Sequence, residues 1–235
     1  MPDREAAQVL GRVRAVADQA GDSHMAIQDG LETVLSGYAQ ARQTEPFGRS
    51  NPLWAVFAGI QSTLNSSSAV RSRTKLSVSW SMGAGNWARV PWIALLDSRE
   101  TTSTQHGVYA VYLFRQDMSG VYLTLNQGVT ELRNQHGVRE SRKMLLERAK
   151  ELRVYCRSLS DRGFALDNEI DLRADRGLGA AYESSTVAHK FYPADGLPDD
   201  ETLLEDGRYP STIVSAVSSR RAGGGFLVSA WSFAL

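Results

Sequence analysis

Polar and apolar residues alternate along Leu76-Ser77-Val78-Ser79-Trp80, which opens the most sharply patterned stretch of the chain. A period of two marks a strand with one wet face. Gly83 and Gly85 then mark a turn, where the backbone takes positive φ or comes close to a ligand. From Trp87 to Leu96 the sequence is an apolar run interrupted by Pro91. Proline has no N–H for a sheet ladder, so this strand starts near Pro91, bulges there or lies at an edge. After a polar loop, Val108–Phe114 and Val121–Leu125 form a hairpin closed around residues 116–120. Residues 75–126 thus read as three or four strands, and they hold three of the five tryptophans.

Helical spacing dominates before this stretch. Ala6, Val9, Leu10, Val13, Val16 and Ala17 predict a helix over residues 3–20, with Asp3 as its cap and Gly21 at its stop. Asp22 is placed to cap a second helix carrying Met25, Ile27, Leu31, Val34, Leu35 and Tyr38. Asn51-Pro52 begins a third through Trp54, Val56, Phe57, Ile60 and Leu64, with proline in the first turn. The polar run 65–68 divides a helical N-terminal region (1–66) from a sheet-centred core (67–235), the two packed as a single domain. Beyond the sheet, 128–137 is a connection, and 139–157 a helix with Met144, Leu145, Ala149, Leu152 and Val154 buried. Residues 158–181 have only Leu166, Ile170 and Leu172 as apolar anchors. Tyr182 to Tyr192 reads as one or two short strands, and Leu197–Glu201 opens a short helix with an acidic first turn. Ile213, Val214 and Val217 then mark a helix or strand, Gly223–Gly225 a turn and Phe226–Phe233 a last strand. The abrupt end at Leu235 suggests a chain cut from something longer. The fold class expected is α+β, a curved mixed β-sheet (about 75–127 plus 180–192) flanked by helices.

Composition narrows the function little by itself. With 235 residues, 42% hydrophobic, the chain can bury a full core, and its formal net charge is zero. The local balance is more informative. No Asp or Glu occurs from Pro46 through Leu96, whereas Arg49, Arg71, Arg73, Lys75 and Arg89 all do. That is either a nucleic-acid footprint or chance. Cys156 is the single cysteine, so there is no intrachain disulfide, and one thiol fits the cytoplasm. Neither a signal peptide nor a membrane-spanning apolar run of ~18 residues is present. No phosphate-cradling glycine loop, nucleophile elbow or metal-spaced pair among the four histidines is found. Nothing nominates a catalytic residue, metal or cofactor.

Gly83-x-Gly85-Asn86-Trp87-x-x-Val90-Pro91-Trp92-Ile93-Ala94-Leu95-Leu96-Asp97, Gly107-Val108-Tyr109-x-Val111-Tyr112-Leu113-Phe114 and Val121-Tyr122-Leu123-Thr124-Leu125-Asn126-Gln127-Gly128 form a long ordered pattern. It resembles the N-terminal DNA-recognition domain of McrB-type, modification-dependent (type IV) restriction proteins. The similarity is dense over 75–128 and looser to about residue 204. It implies a reader of 5-methylcytosine, or 5-hydroxymethylcytosine, in double-stranded DNA, acting in phage defence beside a nuclease domain or subunit. In the family the modified base is flipped into an aromatic pocket. Extrusion costs a few kcal/mol, and stacking on aromatic faces returns ~1–3 kcal/mol per base.

Carried over position by position, the resemblance puts the pocket at Trp92, Tyr109 and Leu113. Trp87 and Asn86 lie beside it, and Asn86 either bonds the base edge or shapes its own turn. Tyr182 or Tyr192 supplies a further aromatic wall. The chain departs from the pattern at Ala84, where a tyrosine helps enclose the base in the best-known relative. Arg71, Arg73, Lys75, Arg89 and Lys190 are the candidate phosphate contacts, which give affinity without base choice. Two other readings stand beside this one. The aromatic cleft would take a small molecule or peptide, or an enzyme would act on the flipped base through Asn86, Asp97 or Ser184-Ser185-Thr186.

Overall fold

The computed structural model describes residues 2–22, 25–71, 75–174 and 177–222. Three helices come first: α1 (Pro2–Asp22), α2 (Ile27–Thr44) and α3 (Leu53–Ser66), followed by a single helical turn α4 (Ser68–Arg71). Most of the apolar positions that mark these helices are buried, although Trp54 is only half-buried. Ile27, Leu31, Val34 and Tyr38 of α2, and Leu53, Val56, Phe57 and Ile60 of α3, have no appreciable exposure. The cap expected from Asp22 is not what starts α2. Its first N–H groups, on Ile27 and Gln28, donate instead to the carboxylate of Asp200 at 3.0 and 2.8 Å. Unpaired N–H groups of a first helical turn want an acceptor, and here a residue far along the chain supplies it.

The sheet has the order β1 (Leu76–Gly83), β2 (Trp87–Asp97), β3 (Val108–Phe114), β4 (Gly120–Gln127), β5 (Thr186–Pro193). Every pairing is antiparallel, so the sheet is not mixed, although the α+β class is as expected. Pro91 sits at a bulge. Ser81 pairs with Trp92 and Gly83 with Trp87, so four residues of β2 face a single one of β1. The bulge spares Pro91 a ladder bond that it cannot make. Gly83 takes φ +135°, and a Cβ there would lie 1.9 Å from the Asn86 carbonyl oxygen, so only glycine fits. The Tyr38 hydroxyl stands 2.9 Å from the carbonyls of both Met82 and Ala88, fastening the hairpin to α2.

Three segments differ from their sequence patterns. The expected strand from Tyr182 begins only at Thr186, because Leu178–Ser185 is a helix, α7, that follows α5 (Thr130–Arg153) and the single turn α6 (Arg157–Ser160). Helix α5 starts earlier than expected and is broken at Gly137 (φ 73°, ψ 176°). The last helix, α8 (Asp200–Ala222), runs through Pro210 rather than ending before it. The Gly223–Gly225 turn and the Phe226–Phe233 strand lie outside the described residues.

Sheet pleating sends alternate residues to two faces. One face, through Val78, Ile93, Ala110, Tyr112, Phe114 and Leu123, shares a core with α1, α2, α3 and α8. The other carries a second, smaller cluster under residues 170–174 and α7. Strands β3 and β4 are buried on both faces. Fully covered central strands lose the alternation that β1 keeps.

Candidate nucleic-acid interface

Register places the residues of the smaller cluster in rows across the sheet. One row runs Ser81, Trp92, Leu113, Tyr122, Phe191; the next runs Ser79, Ala94, Val111, Thr124, His189. Tyr109, paired with Asn126, lies four residues along β3 from Leu113 on the same face. At the β1 edge this face presents only the serines Ser77, Ser79 and Ser81, so the aromatic surface is open toward β1.

Its other side is covered. Ile170, Leu172 and Ala174 pack on Tyr109, Leu113 and Tyr122, with Trp92, Tyr182 and Phe191 at the rim. The cover is pinned through its backbone. Gln116 N–H donates to the Leu172 carbonyl at 2.9 Å, and Leu172 N–H to the Glu183 carboxylate at 2.9 Å. Arg115 lies 4.3 Å from the Phe191 ring centroid and donates to the Asp171 carbonyl (2.8 Å) and the Tyr122 hydroxyl (3.0 Å). Gly179 lets α7 approach closely, since a Cβ there would meet Ala174 at 2.4 Å and Val90 at 3.0 Å.

Half-buried Trp92 donates its indole N–H to the Tyr182 hydroxyl. Burial raises the Tyr182 pKa, against the opposing pull of that bond and of the Arg133 charge. Tyr109 is buried and raised in the same way, its hydroxyl donating to the Thr104 carbonyl at 2.9 Å. Both phenols are therefore neutral hydrogen-bonding groups at neutral pH. Trp92, Leu113, Tyr109 and Tyr182 come together on one face of the sheet.

Three of the other sequence candidates lie on the opposite face. Trp87 packs edge-on against Tyr38 (5.3 Å) and Phe47 (5.5 Å) and donates to the Glu45 carbonyl. Tyr192 donates to buried Asp206 at 2.7 Å, and Lys190 pairs with the same carboxylate at 2.7 Å. These three hold α8 and the helical layer to the sheet rather than joining Trp92. Asn86 is exposed at the hairpin turn. Arg71 is exposed at the end of α4, and Lys75 and Arg89 are exposed at opposite ends of the β1–β2 hairpin. Arg73 lies outside the described residues.

The polar groups considered for chemistry are engaged elsewhere. Asp97 is buried and accepts from Arg99 within its own turn. Ser184 accepts from Arg142, and Ser185 and Thr186 both donate to the Tyr182 carbonyl. Among the described residues no group of three or more His, Cys, Asp or Glu side chains is arranged to hold a metal. Nor is any helix there long and apolar enough to cross a membrane.

Sequence reasoning missed Arg115, Tyr122, Phe191 and Ala174, and it took Ile170 and Leu172 as isolated apolar anchors rather than as a cover. Tyr122 was legible, since a hairpin about residues 116–120 puts it opposite Leu113. The cover carries no periodic signal, because it is irregular backbone held by hydrogen bonds and a few apolar anchors.

A family model described as the MrcB-like N-terminal domain matches residues 33–209. Neither the curated proteins nor the solved structures include a match. The matched span contains the whole sheet, its cover and α7. It agrees with the resemblance carried by residues 75–128 and with a DNA-binding role in an McrB-type restriction system. The chain belongs to the MrcB-like N-terminal domain family.

Proposed function

We propose that this domain recognises 5-methylcytosine in double-stranded DNA by extruding the base against Trp92. The observation that carries the reading is the convergence of Trp92, Leu113, Tyr109 and Tyr182 on one sheet face beside the serine-lined edge of β1. Half-buried Trp92 offers the stacking wall, and buried Leu113, paired with it on β3, backs that wall from beneath the cover. Burying one methyl is worth about 0.8 kcal/mol, roughly fourfold in affinity, so greater selectivity requires the site to penalise its absence. Ala84 is exposed in the neighbouring turn, where a small side chain leaves room for a larger 5-substituent such as hydroxymethyl. Exposed Lys75 and Arg89 bracket the same hairpin and would track phosphates. The domain itself performs no chemistry in this reading; cleavage belongs to a nuclease domain or subunit of the same defence system.

A duplex with 2-aminopurine stacked beside one 5-methylcytosine tests the extrusion. Its fluorescence should rise when the protein binds and stay low with the Trp92→Ala variant. Bound wild-type protein that leaves the fluorescence unchanged would contradict base flipping.

A further inference from the structure

A cavity of about 490 Å³ lies between α5 and α7, behind the cover of the Trp92 face and sharing Ile170 with it; Trp92, Leu113, Tyr109 and Tyr182 do not line it. Its volume lies within the ~300–1,000 Å³ typical of small-molecule sites. We propose that it binds a phosphate group, carried either by a DNA strand or by a free nucleotide.

Two guanidiniums line it. Arg133 donates to the Gly177 carbonyl at 3.4 Å and Arg142 to the Ser184 hydroxyl at 3.2 Å. Each commits one N–H in this way among the described residues, and a guanidinium carries five. Planar, permanently charged arginines suit phosphate because they can donate two parallel bonds to it. The break at Gly137 restarts α5 at the cavity, where Val138 and Ser141 form part of the lining, so the positive end of the restarted helix adds to the field. Among the described residues of the lining Glu183 is the one carboxylate. Its Oε1 accepts the Leu172 N–H, burial pushes its pKa up, and the Arg142 charge beside it pulls the other way. Leu145 and Ile170 add apolar wall that a sugar or base would cover.

The test pairs Arg133→Gln/Arg142→Gln with Ala181→Leu, which narrows the cavity and keeps both arginines. Circular dichroism checks that each is folded. Anisotropy of an unmodified duplex against salt, and calorimetric titration with dCMP, are then read for all three proteins. If the phosphate belongs to DNA, both variants weaken duplex binding, and the arginine variant flattens the log–log salt slope by about 1–2. If it belongs to a free nucleotide, duplex binding is unchanged, wild type binds dCMP and the variants bind it at least tenfold more weakly. A folded Arg133→Gln/Arg142→Gln protein that matches wild type in both titrations would overturn the proposal. Preference for the methylated base is not read in these arms, so the two proposals fail separately.

Discussion

At the scale of single residues, parity decides which aromatic side chains share a face. Trp87 and Trp92 share a strand, but the bulge at Pro91 lies between them, so a period of two cannot be carried from one to the other. The face taken by Trp87 was therefore not legible from spacing. The choice between Phe191 and Tyr192 was not legible either, because a shift of one residue in the β4–β5 register exchanges them. The structure pairs Tyr122 with Phe191 and turns Tyr192 toward Asp206. Tyr192→Phe should therefore cost about 1–3 kcal/mol by leaving a buried carboxylate short of a donor, measured by urea unfolding. It should leave the preference for methylated DNA unchanged. Cys156 offers an independent check of the core. Burial pushes its pKa up to about 12, so the thiol stays protonated at pH 8. Its raised pKa favours the fold below the thiol's ordinary pKa near 8.5, and that contribution fades as pH rises through the folded value. Ellman's reagent at pH 8 should label it only after denaturant is added.

At the scale of elements, the helices and the first four strands were legible because their periodicities are long and uninterrupted. Their partners were not. The carboxylate that serves the start of α2 belongs to Asp200, more than 170 residues later, and no local pattern points to it. Asp200→Ala should cost about 1 kcal/mol, on the scale of a lost helix cap, read as a lower urea midpoint. The hairpin turn is less forgiving. Gly83→Ala places a Cβ against the Asn86 carbonyl at positive φ and should cost about 1–3 kcal/mol or rearrange the turn. The irregular piece before α7 answers to acid. Burial would raise the Asp167 pKa, but bonds from His189 and the Glu169 N–H, with the charges of His189 and Arg153, lower it overall. A depressed carboxylate stabilises the fold above its unfolded pKa of about 3.9 and loses that stabilisation as pH falls through the folded value. Amides of residues 165–169 should therefore lose hydrogen-exchange protection below about pH 4, earlier than those of β3.

At the scale of the whole molecule, one sheet separates two tasks. The face against α1–α3 and α8 holds the large core, including Tyr192, Lys190 and Asp206. The other holds the aromatic cluster, open at the β1 serines and covered by residues 170–174. Substitutions on the first face should change stability and leave base preference alone. Substitutions at Trp92 should do the reverse, since a half-buried rim residue contributes less to the core than a fully buried one. The acid-free stretch from Pro46 to Leu96 takes on a spatial meaning in this arrangement, because it includes the whole exposed edge strand and the turn beside Trp92. Charge balance summed over the chain concealed this asymmetry.

The most direct measurement is the ratio of dissociation constants for an unmodified duplex and its single 5-methylcytosine twin, by fluorescence anisotropy at several salt concentrations. Wild type, Trp92→Ala and Tyr192→Phe are compared. The expected result is a ratio of at least fourfold for wild type and Tyr192→Phe, falling to one for Trp92→Ala, with salt-sensitive binding retained by all three. A ratio of one for wild type, or an undiminished ratio for Trp92→Ala, would contradict recognition of the modified base at this face.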